Sequence, residues 1–183
     1  YFKNMNRLLT PVDKEMVRNA IEYYRQEDIQ VFDKVSDINR ILAIIKERAS
    51  TAKENGYIAV IDYVGLIKVA NSKKDRRLQI EEITRELKVL ANEYQIPIII
   101  LSQLSRGVES RQDKSPQLSD LRESGSIEQD SNVVGFLTNV ETEQNNDGYQ
   151  RIEFQIRKNR DGELMDLKFK FFKNRMFFQE VFE

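Results

Sequence analysis

The sequence contains no cysteine and no histidine. The missing thiols exclude disulfides and cysteine nucleophiles, and the missing imidazoles exclude histidine acid–base chemistry. The common thiolate and imidazole metal sites are excluded with them. Carboxylates, amides, lysine and arginine remain. This inventory suits phosphoryl transfer, in which catalysis depends on positioning, charge stabilisation and magnesium held by oxygen ligands.

No charge of one sign dominates, because 29 lysine and arginine residues stand against 30 aspartate and glutamate residues. The net charge of -1 gives no global field that would attract nucleic acid or an anionic membrane, so any DNA contact must come from local loops. No apolar stretch reaches membrane-spanning length, and no apolar signal peptide begins the sequence. We therefore expect a cytoplasmic protein with no membrane partner.

The length of 183 residues and the hydrophobic content of 40% predict one domain over residues 1–183. Hydrophobic spacing and helix-start signals predict helices from Thr10-Pro11 to about Arg25, from Ser36-Asp37 onward and around residues 80–90, alternating with strands at 29–32, 57–61 and 98–101. We expect the strand at 57–61 to be buried on both faces. This alternation is typical of a doubly wound, mostly parallel α/β sheet.

The pattern changes after Gln103. Residues 104–125 are polar and charged, which is long for a simple connection and predicts a functional or mobile loop. A short helix from about Ser126 and a strand at 133–137 follow, and then three alternating apolar runs with Asp161-Gly162 as a hairpin turn between the first two. We expect these runs to form an antiparallel C-terminal extension on the edge of the parallel sheet.

Two polar strand ends are candidates for chemistry. The run Tyr57-Ile58-Ala59-Val60-Ile61-Asp62 fits a Walker B strand, whose aspartate holds magnesium beside a nucleotide, directly or through water. An aspartate that only caps a turn is an equally common explanation of that pattern. Gln103 ends the next strand, where it can contact a γ-phosphate or orient the attacking water, or can simply be a polar strand end.

A longer stretch carries a resemblance. The segments LSQLSRGVESR (101–111) and LSDLRESGSIEQD (118–130) strongly resemble the hallmark stretch of DnaB-type replicative DNA helicases. The similarity extends from about Tyr57 to the C-terminus and includes IRKNRDG (156–162), whereas the first 56 residues resemble the family loosely. It implies a C-terminal RecA-like ATPase domain with helices on both faces of its sheet. Such domains form a six-membered ring around one DNA strand and hold ATP between neighbouring subunits.

The resemblance also implies roles for individual residues. Asp62 would be the magnesium-associated carboxylate and Gln103 the γ-phosphate sensor. Lys158 and Arg160 would point into the nucleotide site of the neighbouring subunit, with Arg160 as the arginine finger. From the residues alone, the last two would be read as a solvated strand end beside a turn.

The same resemblance places Arg122, Glu123 and Gly125 in a central-channel loop that follows the DNA backbone. Arg122 adds positive charge, and Gly125 leaves backbone N–H groups open to a phosphate ahead of a Ser126–Gln129 capping-box spacing. Because a carboxylate repels phosphate, we expect Glu123 to interact with Arg122 or another basic neighbour. A basic cluster precedes the helix around residues 80–90 and has two equally good interpretations, a second DNA-facing loop or a merely solvated loop. Its members are Lys68, Lys73, Lys74, Arg76 and Arg77.

The sequence departs from the family in three respects. No G-x-x-x-x-G-K-S/T phosphate-binding loop occurs in it, and the family's catalytic glutamate has no counterpart. Gly65 stands where such helicases often carry a larger polar residue. We interpret the chain as a fragment of a longer polypeptide that lacks the Walker A loop, so we expect it to be inactive as an ATPase alone.

The resulting hypothesis is that the chain is part of an ATP-dependent replicative helicase. This helicase would use ATP and Mg²⁺ and move along single-stranded DNA as a homo-hexamer. Primase and a helicase loader are the further partners that the resemblance raises. An ATPase-dead DNA-binding or ring-assembly module is an alternative function, and a RecA-like recombinase relative is another, although the stretch RESGSIEQD (122–130) argues against the recombinase.

Overall fold

A computed structural model describes residues 10–52, 56–70, 72–105, 107–113, 115–121, 125–140 and 148–182. The chain divides after Val35 into two compact units, and the single-domain organisation stays a prediction. None of the described helices is long and apolar enough to cross a membrane.

The first unit contains helix α1, Pro11–Gln26. Thr10 and Asp13 form a reciprocal capping box, and Pro11 occupies the first turn, so the sequence signals for this helix are confirmed. The expected strand at 29–32 is wrong. Val31 is 83% exposed, and the segment forms no strand, because an apolar run without a partner strand has no ladder to join.

Two helices of the second unit supply most of its core. Helix α2 spans Ile38–Thr51. Asp37 is its N-cap, and the Asp37 carboxylate accepts a hydrogen bond from the Arg40 N–H at 3.1 Å. Helix α3 spans Arg76–Tyr94 and is capped in the same way by Asp75. The side chains that α3 buries recur at helical spacing, namely Ile80, Ile83, Thr84, Leu87 and Leu90.

Strands β1, Ala59–Ile61, and β2, Ile98–Ile100, pair in parallel against these helices. Ala59 is buried in the core, with Ile61, Ile98 and Ile100 packed around it. The expected burial of β1 on both faces is wrong for the described residues. Val60 is 63% exposed and Ile99 48% exposed, because α2 and α3 cover one face of the pair only.

The C-terminal part forms a separate antiparallel sheet of four strands in chain order, β3–β4–β5–β6. The strands are Val133–Asn139, Gln150–Asn159, Met165–Phe172 and Phe177–Val181. The Asp161-Gly162 turn joins β4 to β5, so the predicted hairpin is confirmed. In the described residues this sheet is not hydrogen-bonded to the parallel pair, which differs from the extension of a single sheet that we expected.

Three short helical segments lie between β2 and β3. Helix α4 spans Gly107–Ser110, a 3₁₀ turn spans Leu118–Asp120, and helix α5 spans Gly125–Asp130. The long connection predicted after Gln103 is therefore partly ordered. A further 3₁₀ turn, Val64–Leu66, directly follows the Asp62-Tyr63 end of β1.

Candidate functional site

The two predicted nucleotide-site residues leave the same edge of the parallel pair. Beyond the register of the strands, the Leu101 N–H donates to the Ile61 carbonyl at 3.0 Å, and the Val64 N–H donates to the Leu101 carbonyl at 3.0 Å. These bonds carry the pairing one step past each strand, so Asp62 and Gln103 emerge at neighbouring strand ends. The carboxyl edge of an open α/β sheet is where ligands of such folds bind.

Asp62 and Gln103 are both exposed, and within the described residues neither side chain has a hydrogen-bond partner. The 3₁₀ turn after β1 has Tyr63 as its N-cap and no side-chain cap hydrogen bond. Asp62 therefore does not cap this turn, which was the structural explanation for an aspartate at the strand end. Their polar atoms are therefore available to a ligand from solution.

A magnesium ion fits this donor set in one way. No group of three carboxylates that could enclose a metal occurs among the described residues. Asp62 would contribute one carboxylate ligand. Magnesium in nucleotide sites is typically bound through one or two carboxylates together with substrate phosphates and water. The edge thus suits a metal that arrives with a nucleotide.

Arg76 holds the turn that follows Asp62. Its guanidinium donates to the carbonyls of Ile67 at 2.8 Å, Gly65 at 2.9 Å and Val64 at 3.2 Å, and to the side chain of Gln79. Sequence reasoning grouped Arg76 with a basic cluster and missed this role. Backbone acceptors leave no residue pattern, so the only signal was an arginine directly after the helix cap Asp75.

The rest of that basic cluster is divided. Lys74 pairs with Glu82 at 2.7 Å, whereas Lys68, Lys73 and Arg77 are exposed. A pair with this much exposure contributes little to stability. The three exposed cations keep both interpretations open, a DNA-facing loop and a solvated one.

A short link joins Gln103 to the predicted DNA loop. Leu104 and Leu121 form an antiparallel bridge, and the Ser105 N–H donates to the Asp120 carbonyl at 2.8 Å. Gln103 therefore lies next to one end of this bridge, and Arg122 follows the other end in the chain. Arg122 and Glu123 themselves lie outside the described residues.

The base of the loop is fastened by a buried carboxylate. Asp120 is 6% exposed and accepts from Arg111 at 2.5 Å and from the Gln117 N–H at 2.8 Å. Arg111 also donates to the Ser115 carbonyl at 3.0 Å. Sequence reasoning missed this pair, because the loop has no periodicity that brings Arg111 and Asp120 together.

Gly125 begins α5 and is exposed, and a Cβ built on it would meet no other atom within 4 Å. The backbone there is open to a ligand. The Ser126–Gln129 capping box does not form, since the buried Ser126 hydroxyl bonds to none of the described residues. Ser126 already occupies a helical position, because the helix begins at Gly125, two residues earlier than the box requires.

Lys158 and Arg160 converge on the C-terminal end of α5. The Lys158 ammonium donates to the carbonyls of Glu128 and Gln129, and Arg160 donates to the Gln129 carbonyl at 2.7 Å. Cations are favourable at a helix C-terminus, where carbonyls lack intrahelical donors. Burial, followed by the charge of Arg160, lowers the pKa of Lys158 from its ordinary value. Neither residue is an unattached strand end.

Parallel strands with exposed polar side chains at their carboxyl edge are typical of α/β domains that bind ligands there, including nucleotides. The particular family follows from comparison with known proteins. Residues 3–180 match the DnaB-like helicase C-terminal domain, and the chain belongs to this family.

Two curated relatives are replicative helicases. The chain is 40% identical over 175 residues to the replicative DNA helicase DnaB of Geobacillus stearothermophilus, covering 90% of this chain and 37% of that protein. It is 53% identical over 109 residues to the replicative DNA helicase DnaC of Bacillus subtilis (strain 168), covering 56% of this chain and 23% of the relative. The chain therefore spans well under half the length of these relatives.

Two solved structures agree with this assignment. One of them, an ATPase domain, superposes with a TM-score of 0.89 at 34% identity, covering 98% of this chain and 64% of that one. The other, a DnaB-like replicative helicase solved in a study of its interactions with primase, superposes with a TM-score of 0.83 at 35% identity over 92% of this chain and 41% of that chain.

Proposed function

We propose that the chain is the C-terminal motor region of a replicative DNA helicase that hydrolyses ATP while moving along single-stranded DNA as a hexameric ring. The observation that carries this proposal is that Asp62 and Gln103 lie together at the carboxyl edge of β1 and β2, where neither side chain bonds to another described residue. Membership of the helicase family supports it.

In this proposal Asp62 associates with magnesium, directly or through water, and Gln103 contacts the γ-phosphate. Bound magnesium supplies charge neutralisation for phosphoryl transfer. The phosphate cradle comes from a segment outside this sequence, since no Walker A pattern occurs within it. The Arg76 contacts support the role of Asp62, because they fix the turn on which its strand ends.

The doubly wound RecA arrangement, with helices on both faces, belongs to the same proposal. The apolar face of β1 and β2 that carries Val60 and Ile99 is exposed in the described structure. A second helical layer, contributed by the longer polypeptide, would cover it and complete the sheet.

The proposed DNA contacts come from the loop that contains Arg122, Glu123 and Gly125. The Arg111–Asp120 pair and the Leu104–Leu121 bridge support this assignment, since they hold the base of that loop beside Gln103. Glu123 is proposed to pair with a basic neighbour. Lys158 and Arg160 are proposed to serve the neighbouring subunit, with Arg160 as the arginine finger.

Further partners remain at the level of proposal. One structural relative is a DnaB-like replicative helicase whose interactions with primase were studied together with its structure. This relative supports primase as a partner of the whole protein. A helicase loader and a cytoplasmic place of action are proposed on the ground that the curated relatives are bacterial replicative helicases.

The first test substitutes Asp62→Ala in the full-length polypeptide. ATP hydrolysis and strand displacement should both be lost, because the carboxylate is the proposed magnesium ligand, while thermal unfolding should change little for an exposed strand-end residue. Asp33→Ala, an exposed aspartate of the first unit, is the matched control and should keep activity. A wild-type polypeptide that binds DNA and assembles without hydrolysing ATP would instead establish the ATPase-dead alternative.

The second test substitutes Arg122→Ala in the assembled ring. Binding to single-stranded DNA should weaken about equally across sequences, and its salt dependence should fall by about one ion, because a phosphate contact releases counterions without reading bases. Fluorescence anisotropy over a salt series measures both quantities. A loss confined to particular sequences, or unchanged binding, would remove this loop from the DNA path.

A further inference from the structure

Helix α5 has two functional ends. Its first residue, Gly125, directly follows the loop proposed to contact DNA, and its last turn offers the carbonyls that hold Lys158 and Arg160. A helix of this length does not persist in isolation, because forming the first turn fixes several residues for few hydrogen bonds. The direction of α5 must therefore be set by tertiary contacts.

One side-chain contact fixes the C-terminal end of α5 on α3. The Thr84 hydroxyl donates to the Asp130 carboxylate at 2.7 Å. Thr84 is 3% exposed and lies among Ile80, Ile83 and Leu87 on the apolar face of α3, where a hydrophobic residue would satisfy the helical pattern. A hydroxyl buried there is tolerated because it is hydrogen-bonded.

Arg160 makes only part of its possible contacts within this chain. A guanidinium carries five N–H donors in a rigid plane, and the Gln129 carbonyl takes one of them. The residue is exposed, and its other donors bond to no other described residue, so they can meet an anion outside the subunit. The hydrogen bond to the Gln129 carbonyl thus orients Arg160 and uses one of its five donors.

We propose that Asp130, held by Thr84, is a positioning residue for Arg160: it fixes the end of α5, whose carbonyls aim the arginine at the phosphate in the neighbouring subunit. This inference rests on the proposed role of Arg160.

The test uses Thr84→Val in the full-length hexamer, since valine keeps the volume but cannot donate. The kcat for ATP hydrolysis should fall about tenfold or more while the KM for ATP stays within about twofold, because a displacement of about 1 Å is enough to impair catalysis without removing a binding contact. Asp130→Ala should give the same split. Thr84→Ser and Asp130→Asn, which keep a donor and an acceptor, should retain most of the activity.

Glu82→Ala is the matched control, because it removes a carboxylate from the same helix whose ion pair among the described residues is with Lys74, and it should leave kcat unchanged. Ring assembly and the thermal unfolding midpoint are measured for every variant. A Thr84→Val ring that assembles with wild-type kcat overturns the inference, and so does a Thr84→Ser variant as impaired as Thr84→Val.

A double-mutant cycle separates this inference from the proposed function. If Thr84 acts through Arg160, Thr84→Val should add no further loss of kcat to Arg160→Ala, whereas an equal additional loss would show an independent effect and overturn the inference. If Arg160→Ala alone retains wild-type kcat, the proposed arginine finger is wrong. If Arg160→Ala is impaired and Thr84→Val is not, only the positioning role fails.

Discussion

At the scale of single residues, Gly65 shows a constraint that the sequence only hinted at. A Cβ built on Gly65 would lie 2.4 Å from the Tyr63 ring, which is closer than atoms can approach without a shift. Gly65→Ala should therefore lower the free energy of unfolding by about 1–3 kcal/mol, the usual effect of overpacking. Urea unfolding of the chain measures it.

Gly107→Ala is the control for this prediction, because a Cβ there meets its nearest atom, the Ser105 hydroxyl, at an ordinary 3.5 Å. In a Tyr63→Ala background the effect of Gly65→Ala should shrink, since the clashing ring is gone. An equal loss in both backgrounds would mean that the ring is not the cause. The larger polar residue common in the family is thus sterically opposed here by Tyr63.

Asp62 and Gln103 could be assigned to neighbouring strand ends from the sequence, because each ends an apolar run and parallel strands present the same end at one edge. Arg76 and Asp120 could not. Arg76 bonds to backbone carbonyls of a turn, and Asp120 bonds to an arginine across an aperiodic loop. Neither partner is marked by residue type at a fixed spacing.

At the scale of elements, the β4–β5 hairpin contains a titratable link. Arg157 donates to both carboxylate oxygens of Asp166, and this hydrogen bonding lowers the pKa of Asp166 below 3.8. A carboxylate with a lowered pKa stabilises the fold above its unfolded pKa, and that contribution is lost as the pH falls through the folded pKa. The pair is partly exposed, so its contribution is modest.

Asp166→Asn should therefore destabilise the chain by up to about 1 kcal/mol at pH 7 and by progressively less as the pH falls below 3.8. Thermal unfolding at pH 7 and pH 3 compares the two conditions. Asp161→Asn, in the adjacent turn, removes a carboxylate that forms no ion pair with another described residue, and it is the control. A constant difference at both pH values would indicate that the charge is not responsible.

Helices were predicted more reliably than strands for a physical reason. Asp37 marks the start of α2 through a local side-chain bond that the sequence displays, whereas the Asp75 cap of α3 was not singled out. Strand formation depends on a distant partner, so the apolar residues at 29–32 were wrongly assigned, and the exposure of Val60 on one face of β1 was not foreseen. The pairing of a strand and the covering of its second face both depend on residues distant in the sequence.

At the scale of the whole molecule, the proposed ring makes Arg160 act on a site in another subunit. Full-length Arg160→Ala rings should bind ATP nearly normally but hydrolyse it about 10³-fold more slowly, because an arginine finger stabilises charge that develops during transfer. Asp62→Ala rings should be inactive for a different reason, the loss of the magnesium carboxylate.

Mixing the two inactive proteins should restore part of the activity. A junction that pairs an intact Asp62 with a neighbour's intact Arg160 then becomes possible, and steady-state ATPase assays over a range of mixing ratios measure it. Subunit exchange is verified first with fluorescently labelled protein. If mixed rings form and no activity returns, Arg160 works within its own subunit or only supports α5.

The order of the strands along the chain also bears on how the molecule folds. The strands β3 to β6 pair with their neighbours in sequence, whereas β1 and β2 pair only after the whole of α3 has been placed between them. Closing a long loop carries an entropic penalty before any contact compensates for it, so local hairpins form sooner. The C-terminal sheet, with Lys158 and Arg160 at the end of β4, is thus expected to be in place before the edge that carries Asp62 and Gln103 is assembled.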